Sequence, residues 1–216
     1  FSTIADRYDL ITVLLSFGLD RGWKRRAVDL AAPRPGQRAL DLACGTGDIA
    51  FETAARGASV VGLDITHRML ELARLRASRS GGQAPFSLPD PASLTPHPAS
   101  RIPHPAFVAA DMCALPFEDA RFDLVTTGYG LRNVPGLDAA IRQIHRVLKP
   151  GGVLVSLDFN RPSNALVRTV YLAYLRLVGG ALGRVLHRDA DTYRYIPASI
   201  ERYPGAAGVA PTSRAG

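Results

Sequence analysis

Cysteine is scarce in this chain. Cys44 and Cys113 are the only two, and they lack the close spacing of a metal-ligand set, so no metal is expected. Long apolar runs are missing as well. The greasiest stretch, 164–186, is interrupted by Arg168, Arg176 and Arg184 and weakened by Gly179-Gly180, which predicts a buried or interfacial helix pair rather than a bilayer crossing. No hydrophobic signal segment stands at the start, and a cytoplasmic protein is the expectation, although a chain opening on Phe1 leaves a preceding segment open. Negative charge is in the minority, with 19 Asp and Glu against 26 Lys and Arg. The resulting +7 is scattered, without a lysine-rich arm or an RNA-binding or zinc signature, so nucleic acid is not expected and an anionic ligand or surface is favoured only weakly.

What is present suffices for one core. With 47% hydrophobic residues in 216, a single domain over 1–216 is expected. Over 8–30 the apolar residues keep helical spacing: Leu10, Val13, Leu14 and Phe17, then Trp23, Ala27 and Leu30. Two helices joined at Gly18 would form a cap over 1–32. A strand at 38–43 runs into a glycine-rich turn and a helix at 49–56. A strand at 59–63 ending at Asp64 and a helix at 67–78 complete a βαβ unit, which requires a parallel sheet. The Pro, Gly and Ser-rich stretch 80–105 reads as a mobile surface loop. Strands at 106–110 and 122–127, a helix at 137–148, a turn at 149–152 and a strand at 153–159 follow, then a helical insertion within 163–203 and an irregular tail over 204–216. The fold class is α/β, a doubly wound, mostly parallel, Rossmann-like sheet.

Residues 41–50 read DLACGTGDIA, and Gly45-Thr46-Gly47-Asp48-Ile49-Ala50 satisfies G-x-G-x-x-G/A, a weak signal alone. Such a turn lets a ligand approach the backbone, with unpaired N–H groups offered by the next helix. In a dinucleotide site those amides face a pyrophosphate, which a carboxylate at Asp41 would repel; the ammonium of an amino acid would be held there instead. Asp64, at the tip of the second strand, accepts from ribose hydroxyls in either NAD or S-adenosylmethionine. Asp111, ending the third strand, is placed for the exocyclic amine of adenine. Each of these acids could by itself be a helix cap. Three at successive strand tips beside a glycine turn point to S-adenosylmethionine as cofactor.

These residues resemble a class I S-adenosylmethionine-dependent methyltransferase, and more narrowly the ubiquinone/menaquinone biosynthesis C-methyltransferases. The narrower resemblance is carried by IADRYDLITVLLSFGLDRGWKRRAV at the start, YGLRNVPGLDAAI in mid-chain, RVLKPGGVLVSLDFNRPSN later, and YRYIPASIERYP. It departs at Thr12, Asp20, Gly128 and Asp158, where the family usually carries Asn, His, Ser and Glu. No sequence here matches the antiparallel hairpin with which the family completes its sheet, and the strand near Val153 would then be an edge.

The resemblance implies methylation of a ring carbon of a polyprenyl quinol precursor, demethylmenaquinol ahead of the ubiquinone precursor. Arg132 would stabilise the ionised ring hydroxyl, and Asn133 would orient the ring or a water. Thr46, Met112 and the backbone of Gly128 would line the cofactor pocket with Gly45 and Gly47. Tyr8 is a candidate to close over the cofactor. Leu172, Leu175 and Val178 suit a prenyl channel or a core stripe equally, and His145 reads as an exposed helical histidine. Peripheral contact with the inner face of an anionic membrane is compatible with the positive balance, and self-association into a homodimer stays open. The competing readings are a class I methyltransferase for another small molecule, an NAD-dependent oxidoreductase, and a non-catalytic remnant that only binds S-adenosylmethionine.

Overall fold

The structure is a computed structural model, and it describes residues 16, 18–79, 104–159, 164–187, 199–200 and 202–205. The expectations placed on Tyr8, on a first helix before Gly18, on the 80–103 stretch and on the 206–216 tail lie outside those residues. In chain order the elements are α1 (Asp20–Ala31), β1 (Arg38–Leu42), α2 (Asp48–Ala55), β2 (Ser59–Asp64), α3 (His67–Arg79), β3 (Ala106–Ala109), β4 (Phe122–Gly128), a 3-10 turn (Leu131–Asn133), α4 (Leu137–Val147), β5 (Leu148–Leu157) and α5 (Ala165–His187).

The five strands form one sheet in the order β3-β2-β1-β4-β5, and every pairing is parallel. Parallel strands need crossovers and cover on both faces, and the alternation of side chains along β1 supplies it. Leu40 and Leu42 face a layer containing Ile141, Ile144 and Val147 of α4. Ala39 faces the opposite layer, where Ala50 and Ala54 of α2 and Leu70, Ala73 and Ala77 of α3 pack with Phe107. Ile141, Ile144 and Val147 recur at three-residue steps, which puts them on one side of α4. Each such fully buried Leu or Ile contributes about 1.5–3 kcal/mol relative to exposure.

Two boundaries differ from expectation for physical reasons. Lys149 to Gly152 do not form a free turn: β5 starts at Leu148, directly after α4, and the extra residues are absorbed as a register shift against β4 between Phe122 and Leu124. Gly151, at φ 77°, supplies the left-handed residue that this bulge needs. Residues 165–187 form one 23-residue helix rather than a pair, with Gly179-Gly180 inside it. Leu172 and Leu175 are buried, while Leu166, Val170 and Leu177 are exposed on the other side. No helix among the described residues is long and apolar enough to cross a membrane.

Candidate functional site

Strand order reverses between β1 and β4, and a parallel sheet opens a crevice at the carboxyl ends of such a pair. A cavity of about 260 Å³ lies there. Its floor is the turn after β1, which passes through left-handed backbone at Ala43, Gly45 and Gly47. Gly47 has two reasons to be glycine. Its φ is 88°, and a Cβ would come within 2.9 Å of the Phe51 ring. The turn is held internally: Gly45 N donates to Asp64 Oδ2 at 2.9 Å, Gly47 N to Cys44 O at 2.8 Å, and Cys44 N to Leu63 O at 3.0 Å. Burial, and then the charges of Asp41 and Asp64, push the Cys44 thiol well up, so it packs rather than reacts.

Of the residues singled out in the sequence, Asp41, Gly45, Thr46, Asp64, Asp111, Met112, Gly128 and Asn133 line this cavity; Gly47 and Arg132 do not. Asp41 is fully buried. Its Oδ1 accepts from Thr126 Oγ1 at 2.8 Å, and Oδ2 has no hydrogen-bond partner among the described residues. Burial raises its pKa to about 7 against the opposing pull of Thr126, the Ala50 amide and Lys24. Asp64 is the more heavily engaged acid, because its Oδ1 also accepts from Thr66 N at 2.8 Å. Asp111 is exposed and closes a small loop by accepting from Cys113 N at 2.8 Å. Ile49 Cδ1 stands 2.8 Å from where a Gly128 Cβ would be, so isoleucine fills that part of the wall.

Sequence reasoning passed over the side of the cavity built by α1. Lys24 lines it, bridging Asp20 Oδ2 at 2.7 Å and Asp48 Oδ2 at 2.9 Å. Burial works against the Lys24 charge, but Asp48 and Asp20 overcome it and its ammonium titrates above the ordinary lysine value. Asp48 also pairs with Arg76, and burial notwithstanding, these two cations hold its carboxyl low. Tyr129, left-handed at φ 60°, stacks on Phe159 at 4.9 Å and donates to Asp20 Oδ1 at 2.8 Å. No local pattern announces this network, since Tyr129 and Asp20 are 109 positions apart.

Arg132 sits behind the cavity wall. Its side chain and that of Asp158 are 4% and 5% exposed, and Arg132 Nε lies 2.9 Å from Asp158 Oδ1, in ion-pair range without hydrogen-bond alignment. The Arg132 amide donates to Asp158 Oδ2 at 3.2 Å, Nη1 donates to Ser199 Oγ at 2.6 Å, and the Phe159 ring centre is 5.4 Å from Cζ. Burial raises the Asp158 pKa against the pull of Arg132. Asn133 Nδ2 donates to Tyr129 O at 2.9 Å, which leaves its carbonyl oxygen as an acceptor on a cavity residue.

Similarity to known proteins bears on the fold and the family. Among solved structures, the mmp1179 protein of Methanococcus maripaludis superposes with a TM-score of 0.57 over 93% of this chain and 83% of that one, at 17% identity, which speaks to the fold alone. A relative from Thermus thermophilus named demethylmenaquinone methyltransferase is 41% identical over 94% of this chain and 84% of its own. One from Shewanella frigidimarina, named ubiquinone/menaquinone biosynthesis C-methyltransferase UbiE, is 38% identical over 94% of this chain and 75% of its own. The profile of one family matches residues 1–214, and on that match the chain belongs to the ubiE/COQ5 methyltransferase family.

Proposed function

We propose that this chain transfers a methyl group from S-adenosylmethionine to a ring carbon of a polyprenyl quinol precursor, with demethylmenaquinol as the favoured acceptor. The observation that carries the donor assignment is Asp41 Oδ2, a buried carboxylate oxygen without a partner among the described residues, on a cavity at the sheet's switch point. A buried acid left this way is costly unless a cation completes it, and an amino acid's ammonium does so. A pyrophosphate suits the site poorly. Two amides of the glycine turn already donate internally, and Asp48 occupies the head of α2 where a phosphate would sit. The acceptor class rests on the names of the relatives.

When bound, S-adenosylmethionine supplies an electrophilic methyl group on a sulfonium. The chain's own part is placement and charge. Asp41 takes the ammonium, Asp64 the ribose and Asp111 the adenine amine, while Met112, Leu63 and Met69 give apolar wall. Thr46 and the Gly128 backbone border the methionine portion, and Gly47 acts by shaping the turn. Ring carbon becomes nucleophilic when its hydroxyl ionises, so a fixed cation near that oxygen lowers the barrier. Arg132, next to the cavity residue Asn133 though not itself on the lining, is the cation assigned to this role, with guanidinium donors beyond those facing Asp158 and Ser199. Asn133 offers its carbonyl oxygen to the ring hydroxyl or a water. The exposed Leu166, Val170 and Leu177 on α5 suit contact with the bilayer that holds such an acceptor. Failure to sediment with acidic liposomes at low salt removes that part.

The deciding experiment is transfer of a labelled methyl group to a panel of quinols, beside calorimetry with S-adenosylhomocysteine and NADH. Labelled menaquinol is the expected product. Binding of NADH but not of S-adenosylhomocysteine refutes the reading, and binding without transfer to any quinol refutes the acceptor.

A further inference from the structure

We infer that Lys24 holds the carboxylate of the donor's amino-acid end, so that α1 is a wall of the binding site and not only a helix packed on the sheet. The inference rests on the proposed donor and gives a role to a residue that the sequence reading left without one.

Among the described residues, the cavity lining carries four carboxylates, Asp41, Asp48, Asp64 and Asp111, and one cationic side chain, Lys24. A zwitterionic amino-acid end brings a carboxylate of its own, which those acids repel and which needs a donor. Two of the turn amides are already engaged. Gly45 N already donates to Asp64 and Gly47 N to Cys44 O. Lys24 is different, because an ammonium has three N–H donors and two of these are directed at Asp20 and Asp48. The third remains for a ligand.

Those two acids also do for Lys24 what a free lysine lacks: they fix the position of the ammonium. The side chain is 13% exposed, and its Nζ lies 6.0 Å from the centre of the Tyr129 ring. Asp20 is fixed in turn by the Tyr129 hydroxyl, and α1 is further anchored by Trp23 packing edge-on against Phe159 at 6.4 Å between ring centres. Ordering a long flexible side chain before the ligand arrives removes an entropic cost of binding. Across the same cavity stands the unpartnered Oδ2 of Asp41, close enough for the Lys24 charge to act on it. A cation and an anion thus face one cavity, the complement of an ammonium and a carboxylate on a single carbon.

The competing account is that Lys24 only braces α1 against α2. Calorimetry with two ligands separates them: S-adenosylhomocysteine, and its decarboxylated analogue, which keeps the amine and loses the carboxylate. Lys24→Gln is expected to weaken S-adenosylhomocysteine about tenfold or more, the usual range for a hydrogen bond to a charged group, and to leave the analogue unchanged. Equal losses on both ligands, or no loss on either, overturn the inference. If the variant does not fold, the Lys24 ammonium resonance of the unmodified protein decides, since it should shift with S-adenosylhomocysteine and not with the analogue; equal shifts overturn the inference. Unmodified protein that binds neither ligand overturns the donor assignment itself, a result distinct from the equal-loss pattern.

Discussion

Thr126 Oγ1 donates to Asp41 Oδ1 at 2.8 Å, while Asp41 Oδ2 has no hydrogen-bond partner among the described residues. Burial therefore dominates, and the carboxyl titrates near 7 instead of 3.8. Between those values the folded protein keeps a proton that the unfolded chain has lost. This group's contribution to ligand-free stability is thus full below about pH 4 and is lost as pH rises through 7, a difference on the order of 4 kcal/mol. An ammonium needs the ionised form. Affinity for S-adenosylhomocysteine should rise with pH, by up to about tenfold per unit below 7, and level off above it. Asp41→Asn should bind weakly with a flat profile. Calorimetry from pH 5.5 to 8 checks this, and a pH-independent affinity in the unmodified protein removes the ammonium from Asp41.

Gly62, in mid-β2, is a packing constraint. A Cβ there would stand 2.7 and 2.8 Å from two Phe107 ring atoms and 3.0 Å from Cys44 Sγ, and β2 is held on both sides by β1 and β3. Gly62→Ala should destabilise by about 1–3 kcal/mol. A thermal melt reads this, and Phe107→Leu in the same chain should recover part of it. An unchanged melting temperature in the single variant contradicts the close packing.

The parts of the molecule legible in the sequence are those fixed by neighbours in the chain. Strand-tip acids and a glycine turn follow one another closely in the chain, and a short apolar run leading into that turn locates β1. The bulge at Gly151 was hidden because Pro and Gly in a row carry the same signal for a free turn as for a register shift. Gly179-Gly180 similarly suggested a break, yet α5 continues through it. Least legible was the network around Lys24, whose partner Asp48 is 24 positions away and whose neighbour Tyr129 comes just after the carboxyl end of β4. Only the folded sheet brings these groups to one cavity.

Asp64 and Asp111 look alike in sequence but differ in what they hold. Asp64 is 8% exposed and accepts from two amides, Gly45 N and Thr66 N, so Asp64→Ala leaves both without an acceptor. Loss of about 1–3 kcal/mol of stability should accompany weaker donor binding. Asp111 is exposed, and Asp111→Asn retains an oxygen for Cys113 N. Its melting temperature should be unchanged while affinity for 5′-methylthioadenosine falls, because the new amide presents a donor to the adenine amine. Melts paired with titrations of this ligand check both. Full affinity in Asp111→Asn would leave the adenine contact elsewhere.

Arg132 and Asp158 form a buried pair, and a double substitution separates its structural role from the catalytic role proposed for Arg132. Removing either partner alone leaves an uncompensated buried charge, at a cost of about 3–5 kcal/mol, whereas replacing both with apolar residues is often near neutral. Arg132→Ala should therefore melt early, and its loss of methyl transfer would by itself say little. Arg132→Met with Asp158→Leu should regain most of the melting temperature and bind S-adenosylhomocysteine like the unmodified protein, yet still transfer methyl groups at least about a hundredfold more slowly, the scale of losing one donor to a developing oxyanion. Single-turnover rates at saturating donor measure this. If turnover returns along with stability, Arg132 serves the fold and the ring oxygen is stabilised by another group.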